Sequence, residues 1–205
     1  MKRVTATLIT DGSSDKLLAP LIELLLSAHT ELAYQVVCAE GLPPLSSGLS
    51  ARINSALQLF PCDFLLVHRD DEGVGTTVRQ QEIESEWAGS QKTATLICVI
   101  PVRMSEAWLI ANETPIRAAV GNPNGVDSLD LPATKNIESL PDPKAILFAA
   151  LKAASGLNST RKRSFKPHQY RHRVSELTDD LVPLRKLSSF RHLEVQIQNY
   201  LNPNH

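Results

Sequence analysis

A run of apolar residues leads directly into three acids in Asp63-Phe64-Leu65-Leu66-Val67-His68-Arg69-Asp70-Asp71-Glu72. Such a near-continuous apolar run is typical of a strand buried in a parallel sheet. Near the N-terminus a second run, residues 4–10, leads in the same way into Asp11-Gly12-Ser13-Ser14-Asp15. Ligands of open α/β sheets bind beyond the carboxyl ends of such strands. We therefore expect the two groups of acids to converge on one point.

Converging carboxylates call for a counter-charge. Carboxylates that lie close together repel one another unless a proton or a cation lies between them. Mg²⁺ is the hard cation that suits a group of oxygen ligands and is commonly bound together with phosphate. The sequence therefore predicts Mg²⁺ (or Mn²⁺) as a cofactor.

Strand-like and helix-like segments alternate through the first half of the chain. The strands are predicted at residues 4–10, 33–39, 63–67 and 93–99. Helical patterns lie between them at residues 16–26, 46–60 and 76–88. This alternation predicts βαβ units and an α/β fold, in which helices flank a mainly parallel, Rossmann-like sheet.

The second half of the chain lacks this alternation and is predicted to be helical. Helices are expected at residues 104–112 and 143–154, a loop at 118–140, and one or two helices within 174–201. We therefore predict an α/β core over residues 1–112. A helical C-terminal section, residues 113–205, is expected to pack on that core.

Composition limits the classes of protein to consider. The 205 residues are 42% hydrophobic and 21% charged with a formal net charge of -1, which is typical of a folded globular chain. That charge offers no overall electrostatic argument for nucleic acid. The three cysteines lack metal-ligand spacing, which favours free thiols in a reducing compartment. No secretory segment and no apolar run of about 20 residues is present, so we expect a cytoplasmic protein without membrane contact.

A basic segment covers residues 161–173, which hold six Lys or Arg and no acid. Aromatic and histidine residues lie between the cations, and such a combination can bind phosphates and stack on unpaired bases. The predicted nucleic-acid-binding residues are Arg161, Lys162, Arg163, Arg171 and Arg173. Lys166 is predicted to approach the acids and steady a phosphate. A solvated surface, or a patch for an acidic partner, remains the alternative.

The acids after the first and third strands resemble the two acidic motifs of the Toprim domain. That domain occurs in topoisomerases, primases, recombination-repair proteins and OLD-family nucleases. Residues 99–110, which include Glu106-Ala107-Trp108-Leu109-Ile110, are similar to a segment of small Toprim-like bacterial proteins, as are residues 184–190. Those proteins often stand beside ABC-type or AAA-type ATPases. The resemblance implies a Mg²⁺-dependent nuclease acting on DNA or RNA, with an ATPase partner, in phage defence or DNA repair.

The resemblance also implies roles for single residues. Asp70 and Glu72 would bind the metal, with Asp71 and Glu106 nearby, and Asp11 would be a catalytic group that binds metal or moves a proton. Along a strand, residues 70 and 72 point the same way, which favours them as the ligand pair. Asp11 stands where the family has Glu, and Glu72 where it has Asp. Either these two changes in side-chain length compensate for each other, or the site has lost its turnover. Both alternatives stay open.

Structural interpretations compete with each of these roles. Asp11 with Gly12 is also ordinary turn chemistry, three consecutive acids can form a solvated loop, and Glu106 can pair with Arg103 on a helix surface. The whole chain can accordingly be a non-catalytic Toprim-fold interaction protein that regulates a partner ATPase. A receiver-like phosphoacceptor domain would need a lysine after a fifth strand, and no such strand is visible. Monomer and homo-oligomer both stay open.

Overall fold

A single parallel sheet organises the protein. The computed structural model describes residues 3–91 and 93–202, so that residues 1–2, 92 and 203–205 of the predicted ranges lie outside it. Within these residues the sheet has the strand order β2-β1-β3-β4. All three strand pairings are parallel. The strands are β1 (Arg3–Ile9), β2 (Ala33–Cys38), β3 (Phe64–His68) and β4 (Thr95–Val99). The predicted α/β fold with a parallel sheet is confirmed.

The strand order creates a switch point between β1 and β3. From β1 the chain passes to β2 on one side and then returns to β3 on the other. β1 and β3 are paired so that Ile9 lies opposite Val67, and their carboxyl ends therefore lie side by side. In open α/β sheets the crevice at such a point is where ligands bind.

Three helices connect the strands, and six more follow within the described residues. The connecting helices are α1 (Leu18–His29), α2 (Leu49–Leu59) and α3 (Thr76–Ala88). The later helices are α4 (Glu106–Leu109), α5 (Glu113–Ala119), α6 (Pro143–Ala154), α7 (Ser159–Ser164), α8 (Arg171–Glu176) and α9 (Ser188–Leu201). In the described parts of the chain no helix has the length and apolar character needed to cross a bilayer.

The helix predicted at residues 104–112 is interrupted. Only α4 is α-helical there, and the Asn112 side chain then caps α5 by accepting a hydrogen bond from the Thr114 N–H at 3.0 Å. Asn competes well for a helix N-terminus because its side-chain oxygen satisfies an otherwise unpaired N–H. A second short helix therefore begins where the sequence pattern suggests the end of one longer helix.

The two faces of the sheet carry separate hydrophobic clusters. Leu65 and Val67 of β3 pack with α2 and α3, whereas Phe64 and Leu66 face α1 and the C-terminal helices. This follows from the two-residue alternation of side chains along a strand. The helical C-terminal section therefore covers one face of the sheet and leaves the carboxyl edge at β1 and β3 to polar residues.

One edge of the sheet is covered by a side chain. Gln196 of α9 accepts a hydrogen bond from the Cys98 N–H at 2.9 Å and donates to the Cys98 carbonyl at 3.0 Å. This amide takes the place that a neighbouring strand would occupy beside β4. On the same side, the Trp108 Nε1–H donates to Ser189 Oγ at 2.9 Å, which joins α4 to α9.

Candidate active site

The three acids after β3 lie in an ordered turn. The backbone N–H groups of Arg69, Asp71 and Glu72 donate, each at 3.2 Å, to carbonyls of Val99, Pro101 and Arg103. The Asp71 carboxylate is buried and accepts a hydrogen bond from the Gly73 N–H. The turn is therefore held by the segment that follows β4.

The side chains of Asp70 and Glu72 do not follow strand alternation. β3 ends at His68, and Glu72 has a left-handed backbone with φ of 50°. The Glu72 side chain is 69% exposed and its Oε2 lies 2.6 Å from Arg79 Nη2. The geometric reason for treating residues 70 and 72 as a facing pair therefore does not apply to this turn.

Asp70 and Asp11 are half-buried acids at the switch point. The ring Nε2 of His68 lies 3.1 Å from Asp70 Oδ1, and Arg69 Nε lies 2.9 Å from Asp11 Oδ2 without the alignment of a hydrogen bond. Burial raises the pKa of Asp70, and the hydrogen bond and charge of His68 oppose the rise. Burial likewise raises the pKa of Asp11, against the charges of Arg69 and His68. Both sites thus disfavour a bare negative charge.

Two further acids act electrostatically on this pair. After burial, the charge of Asp15 contributes to the raised pKa of both Asp11 and Asp70, and the charge of Glu106 contributes to that of Asp70. Asp15 also accepts a hydrogen bond from the Gly12 N–H at 3.1 Å, which fixes its side chain beside the end of β1. Acids from three separate segments are therefore coupled electrostatically, with Asp15 acting on both Asp11 and Asp70 and Glu106 acting on Asp70.

Glu106 is buried and belongs to the interior of this site. Its Oε1 lies 2.5 Å from Arg171 Nη1 and 4.0 Å from Lys144 Nζ. Only 4% of the Glu106 side chain is exposed, against 15% of Arg171 and 48% of Lys144. The alternative of a surface pair with Arg103 is therefore not what the structure shows.

A chain of alternating charges leads from Asp11 to the surface. Arg69 Nη1 lies 2.7 Å from Glu82 Oε1, and the other oxygen of Glu82 lies 2.9 Å from Arg79 Nη1. Asp11 stands at one end of this chain and Glu72 at the other. The predicted ligands Asp11 and Glu72 are thus joined through α3, rather than facing each other across a shared point.

The basic segment has two parts with different surroundings. Arg161, Lys162 and Arg163 lie on the short helix α7, where Arg161 and Arg163 are exposed. Arg171 turns towards Glu106, and Arg173 Nη1 lies 3.1 Å from Glu176 Oε2. Three of the five predicted nucleic-acid-binding residues therefore lie on α7, two of them exposed, whereas the other two pair with glutamates.

The aromatic rings of the basic segment stack on each other. The Phe165 and Tyr170 centroids are 4.9 Å apart with an interplanar angle of 17°, and both side chains pack against the larger hydrophobic cluster. Lys166, the predicted phosphate-steadying cation, is exposed. The cations that lie beside Glu106 are instead Lys144 and Arg171.

The sequence interpretation missed two residues of this site. Asp15 could have been identified from the sequence, because it lies in the same short acidic motif as Asp11. Lys144 gives no such signal, since nothing in its local sequence indicates that it approaches an acid 38 positions earlier. The position of the Lys144 side chain beside Glu106 depends on how α6 packs against α4.

The carboxylate oxygens of this site are chemically suited to bind a hard cation, but these side chains already have partners within the protein. Among residues 3–91 and 93–202, no three His, Cys, Asp or Glu side chains are grouped closely enough to hold a metal ion. Asp11 pairs with Arg69, Glu106 with Arg171, and Asp70 with His68. Metal binding at this edge would therefore require these carboxylates to exchange a side-chain partner for the ion.

Fold and site together define an α/β protein with a parallel sheet and partly buried acids at its switch point. Comparison of the chain with protein-family models, curated proteins and solved structures gives no match.

Proposed function

We propose that the protein is a Mg²⁺- or Mn²⁺-dependent Toprim-like nuclease that hydrolyses phosphodiester bonds of DNA or RNA. The observation that carries this proposal is the electrostatic effect of Asp15 on Asp11 and Asp70, and of Glu106 on Asp70, among acids that would have to draw closer together to bind one ion. Burial raises the pKa of Asp11 and of Asp70, and neighbouring acids add to the rise. A divalent cation would relieve this repulsion, and oxygen ligands are those that Mg²⁺ prefers.

The group would divide its tasks as follows. Asp11, Asp15 and Asp70, with Glu106 behind them, would hold the ion, which when bound neutralises charge on a phosphate and activates water. The sequence pattern favoured Asp71 and Glu72 as further ligands. To bind the ion, they would first have to break their hydrogen bonds with the Gly73 N–H and with Arg79.

Cations of the chain would position the substrate. Lys144 is half-exposed beside the acids and supplies a positive charge for a phosphate. The cations of α7, which are Arg161, Lys162 and Arg163, would guide the nucleic-acid backbone, because phosphate neutralisation by Lys and Arg dominates such binding. The resemblance to Toprim proteins further supports an ABC-type or AAA-type ATPase as partner and a role in phage defence or DNA repair.

The proposal is tested with the full chain on single- and double-stranded DNA and RNA, in Mg²⁺, in Mn²⁺ and in EDTA. We expect metal-dependent cleavage that Asp70→Asn reduces by at least about 100-fold, because the amide keeps the shape of the carboxylate but binds no hard cation well. Undiminished cleavage by Asp70→Asn would contradict the proposal.

A matched pair of variants separates the two possible ligand sets. Asp15→Asn retains an oxygen that accepts the Gly12 N–H bond, and Glu72→Gln retains one for Arg79. If the group around Asp70 is the site, Asp15→Asn loses most of the activity and Glu72→Gln keeps it. The reverse result would assign the site to the ligands suggested by the sequence motif.

A second candidate function follows from the ion pairs. Asp11, Glu72 and Glu106 each have an arginine partner, which also fits a non-catalytic Toprim-fold protein that regulates a partner ATPase. Calorimetric titration with Mg²⁺ and Mn²⁺ distinguishes the two. Absence of binding at millimolar concentration favours the interaction protein, whereas tight binding favours the nuclease.

A further inference from the structure

A cavity of about 290 Å³ opens beside Asp11 at the carboxyl ends of β1 and β2. Arg52 of α2, Lys16 and Glu40 contribute its charged wall, and Ala39 and Leu42 contribute an apolar wall. Its volume lies near the lower end of the range of about 300–1,000 Å³ for small-molecule pockets. The cavity therefore has the size and the mixed lining of a site for one small ligand.

Arg52 is the unusual residue of this cavity, because within residues 3–91 and 93–202 it is a buried cation without an acidic partner. It is 8% exposed. Its Nη1 and Nη2 donate to the carbonyls of Pro43 at 2.6 Å and Thr10 at 2.7 Å. Its Nε has no hydrogen-bond partner within the described residues. Backbone carbonyls carry no formal charge, so the guanidinium charge is not neutralised, and a buried unpaired charge is costly.

The two acids of the cavity wall are already paired with other cations. Asp11 Oδ2 lies 2.9 Å from Arg69 Nε, and Glu40 is bonded to Lys16. Arg52 lowers the pKa of Asp11, but its effect is smaller than those of burial, Arg69, His68 and Asp15. The four charged side chains of the cavity sum to zero, but among them only Arg52 has no ion-pair partner within the described residues, so its charge remains available to an anionic ligand.

We infer that this cavity binds a nucleotide unit, with its phosphate at Arg52 and its sugar and base against Ala39 and Leu42. A guanidinium has five N–H donors, and only two of those of Arg52 go to Pro43 and Thr10, so N–H groups remain for a phosphate. The inference rests on the proposed function for the class of ligand, and it adds a subsite next to Asp11. The shared chemistry is a phosphate monoester on a nucleoside, whether on a chain end or on a free nucleotide.

The test is calorimetry on the full chain in EDTA and low salt, with thymidine 5′-monophosphate, thymidine and inorganic phosphate as probes. We expect the monophosphate to bind at least tenfold more tightly than either of the other two. Arg52→Gln is expected to weaken it at least tenfold. Because Arg52 also ties the Pro43 loop to Thr10, each variant is first checked by circular dichroism and thermal melting.

A second variant keeps the test independent of that structural role. Leu42→Trp leaves Arg52 unchanged but fills the cavity, and we expect at least tenfold weaker binding. Leu59→Trp, at an exposed position of α2 outside the cavity lining, is the matched control and should stay within twofold. Equal binding by wild type and Leu42→Trp, or inorganic phosphate as tight as the monophosphate, would overturn the inference.

The outcomes separate this inference from the nuclease proposal, because no metal or turnover is needed. Monophosphate binding that depends on Leu42 and Arg52, without cleavage in Mg²⁺, supports the pocket and removes the nuclease. Cleavage that depends on Asp70, together with monophosphate binding that neither cavity variant changes, supports the nuclease and removes the pocket. A 5′-phosphorylated oligonucleotide that binds more tightly than the monophosphate identifies a chain end, and equal affinity identifies a free nucleotide.

Discussion

Replacing Arg171 by Met tests how the buried acid of the site is held. Arg171 Nη1 lies 2.5 Å from Glu106 Oε1, and both side chains are largely buried, with 15% and 4% exposed. Removing one partner of a buried pair costs about 3–5 kcal/mol, because the other charge is left without compensation. Lys144 Nζ, 4.0 Å away, can compensate in part. We therefore expect Arg171→Met to lower the free energy of unfolding by about 3 kcal/mol at pH 7 in EDTA.

Urea denaturation with a matched control measures this cost. Arg173 lies two positions further on and pairs with Glu176, but 57% of its side chain is exposed. Exposed pairs contribute about 0–1 kcal/mol, so Arg173→Met should change stability by no more than that. If Arg171→Met costs no more than Arg173→Met, the buried pair is not a significant interaction and the reasoning is wrong.

Repeating the titration with Mg²⁺ connects this pair to function. If an ion binds beside Glu106, it can replace the missing guanidinium as the counter-charge. Mg²⁺ should then stabilise Arg171→Met more than the wild type. Equal stabilisation would mean that Glu106 does not contact the ion.

Three further outcomes are expected. Because burial raises the pKa of Asp70, the folded protein holds this proton more tightly, and stability falls as pH rises from the unfolded value of about 3.9 through the folded one. Asp70→Asn should therefore melt higher than the wild type at pH 7 in EDTA, with a gap that closes towards pH 3; a gap independent of pH would contradict this. Gln196→Leu leaves the Cys98 backbone unpaired and should cost about 1 kcal/mol in urea denaturation, and no loss would mean that water replaces the amide. Gly73→Ala should cost about 1–2 kcal/mol in the same assay, since φ is 86° there and a Cβ would meet the Arg103 guanidinium; an unchanged midpoint would show that the turn adapts.

The parallel sheet could be predicted from sequence because its signal is local. The apolar run of β3 is buried at all five residues, and the helices between strands follow from spacing alone. The turn after β3 could not be predicted in the same way. The left-handed backbone of Glu72 depends on hydrogen bonds to the segment after β4, which no local pattern records.

The candidate site was predictable to the extent that strand ends carry its acids. Asp11 and Asp70 belong to such ends, whereas the contact between Glu106 and Arg171 joins residues 65 positions apart and depends on helix packing. The position of Arg52 could have been recognised from the helical spacing of the sequence. It stands on the apolar stripe of α2 beside Leu49 and Ile53, where a cation is out of place unless it has a buried task. Metal, nucleic acid and an ATPase partner stay predictions.

The amide of Gln196 makes the sheet asymmetric as a template for other chains. An open strand edge invites pairing with a strand from another molecule. At β4 the outward backbone groups of Cys98 are already taken by α9, which breaks any continuous row of free groups on that side. β2, paired only with β1 within the described sheet, presents the opposite edge. Growth of this sheet by strand addition, whether in a complex or in aggregation, is therefore directed to β2.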